Sequence, residues 1–129
     1  MKALLDTHTF LWWITDDGRL SKRVRDILSN GRNTIYFSAA SGWEIAIKAR
    51  LNKLTLPTDI ANFVGEHLTK NAFEILPIQL HHTLHVYALP AHHRDPFDHI
   101  LIAQGQLENL PLLTIDAHIA QYDIKTIWN

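Results

Sequence analysis

The chain has 129 residues, no cysteine and a formal net charge of −1. The length suits one domain, expected over residues 1–129, with a real hydrophobic core, and the missing cysteine excludes disulfides, thiol nucleophiles and Cys-based zinc sites. The near-neutral charge gives no basic footprint for nucleic acid, so a phosphate-bearing substrate has to be met by metal ions and local basic residues. No apolar run is long enough for a signal peptide or a membrane span, and the expected location is cytoplasmic.

In chain order, Lys2 to Leu5 reads as a short buried strand ending at Asp6. Thr7 to Ile14 reads as a helix and Thr15 to Arg19 as a turn, after which Ser21 opens a second helix that Asn30-Gly31 stops. Thr34 to Ser38 is β-rich, and Gly42 to about Leu51 is expected to be a third helix. Pro57 and Thr58 start a fourth, and Phe73 to Leu76 is a third strand. Gln79 to Leu89 is helical. Asp95 caps a helix that runs to about Leu107, with Pro96 at its first position, where a missing N–H costs nothing. Leu112 to Ile115 is a strand ending at Asp116, Ala117 to Ala120 a short helix, and Lys125 to Trp128 an edge strand. Strands alternating with helices predict an α/β fold, its parallel sheet covered on both faces.

Asp6, Glu44, Asp98 and Asp116 all fall at strand-to-helix or loop-to-helix junctions. In an open parallel sheet such positions share the carboxyl edge, where sites form. Each acid also has a purely local reading. Asp6 and Asp116 suit helix caps, Ser41 and Glu44 fit the S-x-x-E capping box, and Asp98 complements a helix dipole. Taken together, four carboxylates flanked by apolar sequence repel one another unless a cation offsets them. Oxygen donors favour Mg²⁺, with Mn²⁺ as a substitute, and the chemistry that such a site supports is hydrolysis of a phosphodiester.

Four stretches carry a family resemblance: Leu4-Leu5-Asp6-Thr7-His8, Ser38 to Lys48, His93-Arg94-Asp95-Pro96-Phe97-Asp98, and Leu113-Thr114-Ile115-Asp116. Together they resemble the PIN-domain ribonucleases, within them the VapC-type toxins of toxin–antitoxin pairs, over essentially the whole chain. The resemblance implies a three-layer α/β/α fold around a mainly parallel sheet of four to five strands. It also implies a Mg²⁺-dependent endoribonuclease that forms a homodimer, acts on RNA and is silenced by a cognate antitoxin. Asp6, Glu44 and Asp98 match the family's first three metal-binding acids and Asp116 its fourth, more variable one. Asp95 is read as a cap beside the site, and Thr114 as a candidate for orienting a carboxylate. His99 stands where relatives often carry Arg, so a phosphate contact is not carried over to it.

Among the other residues, His81 and His85 are four apart on a helix but lack a third ligand, so a solvated face is expected. His92, His93 and Arg94 precede the acid turn, either touching RNA phosphate or forming an exposed loop. Trp12 and Trp13 suit core or dimer surface, Lys22, Arg23 and Arg25 a solvated face, and Lys48 either substrate steering or pairing with an acid. Three rival readings each require a feature that the sequence lacks or a loss that it does not show. A receiver-type phosphate-handling domain needs a Lys at a late strand end, where Asp116 stands. A catalytically silent interaction module would have lost an acid, and a DNA-directed flap nuclease would carry inserted clamping segments.

Overall fold

The computed structural model describes residues 1–57 and 59–129. Its centre is a five-stranded sheet, β1 (Lys2–Leu5), β2 (Thr34–Ser38), β3 (Glu74–Leu76), β4 (Leu112–Leu113) and β5 (Thr126–Ile127). The spatial order is β3-β2-β1-β4-β5 and every neighbouring pair is parallel. Parallel neighbours need crossover connections, which the helices supply. These are α1 (Thr7–Ile14), α2 (Lys22–Ser29), α3 (Ala39–Arg50), α4 (Ile60–Lys70), α5 (Leu80–His85) and α6 (Pro96–Glu108). Single 3₁₀ turns follow at Val86–Ala88 and Ile119–Gln121.

Because side chains alternate along a strand, β1 feeds two cores. Ala3 and Leu5 pack with Phe10, Val24, Ile35, Phe37, Ile45 and Leu68 on one face. Leu4 packs with Leu101, Ile102, Leu112, Ile119 and Tyr122 on the other. This double burial explains why Ala3 to Leu5 of β1 read as an unbroken apolar run, and it gives the three-layer α/β/α arrangement expected. At Gly105 an added Cβ would lie 2.3 Å from Ile124 Cδ1 and 3.0 Å from the Leu110 carbonyl oxygen, so only glycine lets α6 sit this close. Asn109, left-handed at φ 55°, then turns the chain from α6 toward β4.

Several boundaries differ from the sequence reading. Helix α3 starts at Ala39 rather than Gly42, because extended Ser38 ends β2 and its Oγ accepts the Ala40 N–H at 3.0 Å. Helix α4 starts at Ile60, capped by Asp59, whose carboxylate accepts the Asn62 N–H; Pro57 lies before it, and Thr58 is outside the described residues. The helix expected over Gln79 to Leu89 is α5 followed by a 3₁₀ turn. Strand β4 is two residues long, although its ladder extends through Asp6 N–H to Leu113 O and Thr114 N–H to Ile127 O. No described helix is long and apolar enough to cross a membrane.

Candidate active site

The strand order reverses direction between β1 and β4, since β2 and β3 lie to one side and β5 to the other. Such a switch point opens a crevice at the carboxyl ends of the strands. Asp6 follows β1 directly, and Thr114 and Asp116 follow β4 on the crevice's other wall. Helices α3 and α6 bring Glu44 and Asp98, and meet through Trp43 and Phe97, whose rings stand edge to face at 4.9 Å.

Asp6 occupies the N-cap position of α1, yet its side chain makes no cap hydrogen bond. It accepts instead from Thr114 Oγ1 at 2.7 Å, while Thr114 Oγ1 itself accepts the Asp116 N–H at 3.0 Å. Thr114 thereby ties two of the acids together. The Ser41–Glu44 capping box does not form. Ser41 lies inside α3 and accepts from Thr7 Oγ1 at 2.8 Å, and Glu44 Oε2 is paired with Lys48 Nζ at 2.6 Å. Lys48 therefore pairs with an acid. Asp95 is the cap expected, its Oδ1 accepting the Phe97 and Asp98 amides. That leaves the buried Asp98 carboxylate free for His93, whose Nε2 lies 3.0 Å from Asp98 Oδ2. Asp116 does cap locally, accepting the His118 N–H at 2.8 Å.

These acids feel one another. Burial raises the Asp6 carboxyl above its ordinary value; the Thr114 bond and His8 oppose this, and Asp116 and Glu44 add to it. Asp98 is pushed up to about 8, first by burial, then by the charges of Asp95, Asp6, Asp116 and Glu44. Burial works against the Lys48 ammonium, but its bond to Glu44 and the charges of Glu44, Asp95 and Asp98 hold it above the ordinary value. The crevice is therefore short of positive charge. Its donors are all oxygens, the set that suits a hard divalent cation.

No three of the four acids bring carboxylate oxygens within 4.8 Å of one another. Mg²⁺, at about 2.1 Å from each oxygen, is commonly held through one or two carboxylates and keeps several waters, so it does not require three carboxylates that close. Among the described residues the group that is that close lies elsewhere: His81, His82 and Glu108. There the Gln79 N–H donates to His82 Nδ1 at 3.0 Å, so the buried His82 carries its proton on Nε2 and donates it to Glu108 at 2.9 Å. With both ring nitrogens committed, His82 is a helix cap rather than a ligand. His85 points to Gln106 instead, so the pair His81 and His85 forms no site.

His92 and Arg94 are exposed, but His93 turns inward. His99 Nε2 donates to the His93 carbonyl at 2.8 Å. Trp12 packs on Trp128 under the Arg19 guanidinium, and Trp13 donates to Asn71. Lys22 pairs with Asp26 and Arg25 with Asp16 on the surface, while Arg23 donates to the Asn129 carbonyl. A hollow of about 300 Å³ adjoins Glu44's partner, lined by Thr7, His8, Ile45, Lys48, Lys53 and Leu54 with Leu11. A larger one of about 530 Å³ opens at the amino ends of β4 and β5, away from the acids. The inward role of His93 and any part for Tyr122 were not legible in the sequence, since their partners lie on other elements.

The family profile described as PIN domain matches residues 3–125. Ribonuclease VapC16 of Mycobacterium tuberculosis is 41% identical over 62 residues, which is 48% of this chain and 44% of that protein. The match thus spans less than half of the relative's length. The structure of VapBC2 from Rickettsia felis, bound to a DNA fragment from its promoter, contains a similar chain. It superposes with a TM-score of 0.71 at 16% identity, over all of both chains. The structure of FitAcB from Neisseria gonorrhoeae gives a TM-score of 0.64 at 20% identity, over 100% of this chain and 97% of that one. At those identities the likeness is one of fold. A profile match over nearly the whole length, on a five-stranded parallel sheet of the expected three-layer form, shows that the chain belongs to the PIN domain family.

Proposed function

We propose that this protein is a metal-dependent endoribonuclease, the VapC-type toxin of a toxin–antitoxin pair, working in the cytoplasm. The observation that carries the reading is the crevice at the β1–β4 switch point, where burial first, then the charges of Asp95, Asp6, Asp116 and Glu44, lifts Asp98 to about 8. Family membership and the partial match to a protein named as a ribonuclease support it.

Asp6, Glu44, Asp98 and Asp116 would hold Mg²⁺, or Mn²⁺ in its place, some of them through water. When bound, such an ion eases deprotonation of an attacking water and offsets charge gathering on the phosphate and leaving oxygen. The chain's residues do the rest. Thr114 orients Asp6, and Lys48 holds Glu44 while offsetting part of the negative field that would repel a polyanion. No side chain is required to form a covalent intermediate. The partners are RNA, a second copy of the chain and a cognate antitoxin, for which the VapBC2 complex is the structural precedent. A basic side chain from such an antitoxin would satisfy the same charge-poor crevice.

The test is cleavage of a mixed RNA pool by antitoxin-free protein in Mg²⁺, Mn²⁺ and EDTA, beside Asp98→Asn. Metal-dependent cleavage that the variant lacks is expected. Folded protein that neither cleaves RNA nor binds Mn²⁺ would remove the nuclease reading.

A further inference from the structure

Next to Asp98, the loop before α6 carries a closed set of hydrogen bonds whose proton positions can be worked out. The His93 carbonyl oxygen can only accept, so His99, 2.8 Å away, carries its proton on Nε2. The His93 backbone N–H donates to Tyr122 Oη at 3.3 Å. Tyr122 Oη also lies 2.8 Å from His93 Nδ1. His99 Nε2, 3.4 Å from Tyr122 Oη, is already a donor and cannot take the phenol proton. Among the described residues His93 Nδ1 stands within reach to accept that proton. With the phenol donating to Nδ1, His93 is the Nε2–H tautomer, and that N–H meets Asp98 Oδ2 at 3.0 Å.

The imidazole is also held against rotation. His118 stacks on it at 5.4 Å with planes 2° apart, and His99 stands edge-on at 5.0 Å. Tyr122 is itself buried in the core beneath α6, so the anchor is rigid.

We propose that His93 is a positioning residue, locked by Tyr122 so that its Nε2–H aims the Asp98 carboxylate for a divalent cation. This rests on the metal-dependent reading above and extends it to two residues outside the acid set. The polarity of the contact is what matters. With Asp98 ionised, an N–H presented to Oδ2 makes it an acceptor, and no described residue donates to Oδ1, which stays available to a ligand. Hydrogen bonds behind a metal-binding carboxylate fix its orientation, and losing them typically costs about 10–100-fold in metal affinity. A loop staple with no bearing on the site would instead leave metal affinity untouched.

Two measurements on the full chain decide this. Long-range ¹H–¹⁵N NMR of the metal-free protein at alkaline pH, with Asp98 ionised, reads the His93 tautomer, and Mn²⁺ titration by EPR reads affinity. The titration covers the wild type, Tyr122→Phe, His93→Leu, His93→Gln and an Asp98→Asn control, each checked by circular dichroism. The expected results are a proton on His93 Nε2, an affinity loss of about 10–100-fold for His93→Leu, and a smaller loss for Tyr122→Phe, which keeps the buried ring. His93→Gln, whose amide N–H can stand where Nε2–H stood, should recover most of the affinity. A proton on Nδ1, or a His93→Gln that binds no better than His93→Leu, overturns the proposal. If Asp98→Asn abolishes binding while Tyr122→Phe and His93→Leu bind like the wild type, the proposal alone fails. If the folded wild type binds no Mn²⁺, the metal reading fails and takes the proposal with it.

Discussion

Replacing Asp98 by Asn is expected to stabilise the metal-free fold and abolish its response to divalent metal. Asp98 is 6% exposed and its carboxyl is pushed up to about 8 by burial and by four neighbouring acids. The unfolded chain releases this proton near 3.8, whereas the fold keeps it to about 8, so between those values the folded state binds more protons. The stability that the protonated group contributes is whole below the lower value and is lost as pH rises through the higher one. At about 1.36 kcal/mol per tenfold change in acidity, the ceiling is about 6 kcal/mol. The His93 N–H, water and counter-ions reaching the crevice cut this to an expected 2 kcal/mol or so, about 8 °C in Tm for a domain of this size. Asn carries no charge, can accept from His93, and offers its NH₂ to the other acids. Calorimetry from pH 5 to 9 in EDTA should show the variant melting higher at pH 8, with the gap narrowing toward pH 5. Added Mn²⁺ should raise the melting temperature of the wild type only. An Asn variant that melts below the wild type at pH 8 in EDTA would refute the reasoning.

Thr114→Val removes a donor to Asp6, in a buried bond, and an acceptor for the Asp116 amide, in a part-buried one. Thermal melts should show a loss of about 1–3 kcal/mol, and Mn²⁺ titration a weaker site; an unchanged affinity would count against Thr114 as Asp6's orienting group. Lys48→Met leaves the buried Glu44 carboxylate uncompensated. The metal-free fold should lose about 1–2 kcal/mol, less than a fully buried pair because Lys48 is partly exposed, and Mn²⁺ should restore more of the melting temperature than it adds to the wild type. Gly105→Ala forces a Cβ against Ile124 and the Leu110 carbonyl. Ile124 can turn aside but the carbonyl cannot, so urea unfolding should register a net loss of about 1 kcal/mol after the helix-propensity gain; a stabilised variant would show that α6 has room to shift.

What could be read from the sequence was what neighbours along the chain decide. The apolar runs of β1 and β2 announce strands buried on both faces, because the pattern lies within a few residues. The Asp95-Pro96 start of α6 was legible for the same reason: an N-cap bonds amides two and three residues on. The family motifs placed four acids at junctions, and a parallel sheet puts such junctions on one edge. Local rules also misled. Ser41 and Glu44 satisfy the capping-box pattern, but Ser38, standing where β2 ends, captures the helix start first. Only the tertiary structure decided whether each carboxylate served its own helix or the crevice. Asp6 ignores the amides beside it for a hydroxyl 108 residues away, and Asp98 meets a histidine whose other ring nitrogen lies against the distant Tyr122. A side chain takes the partner that the packed core brings within 3 Å, and a one-dimensional pattern carries no record of that distance.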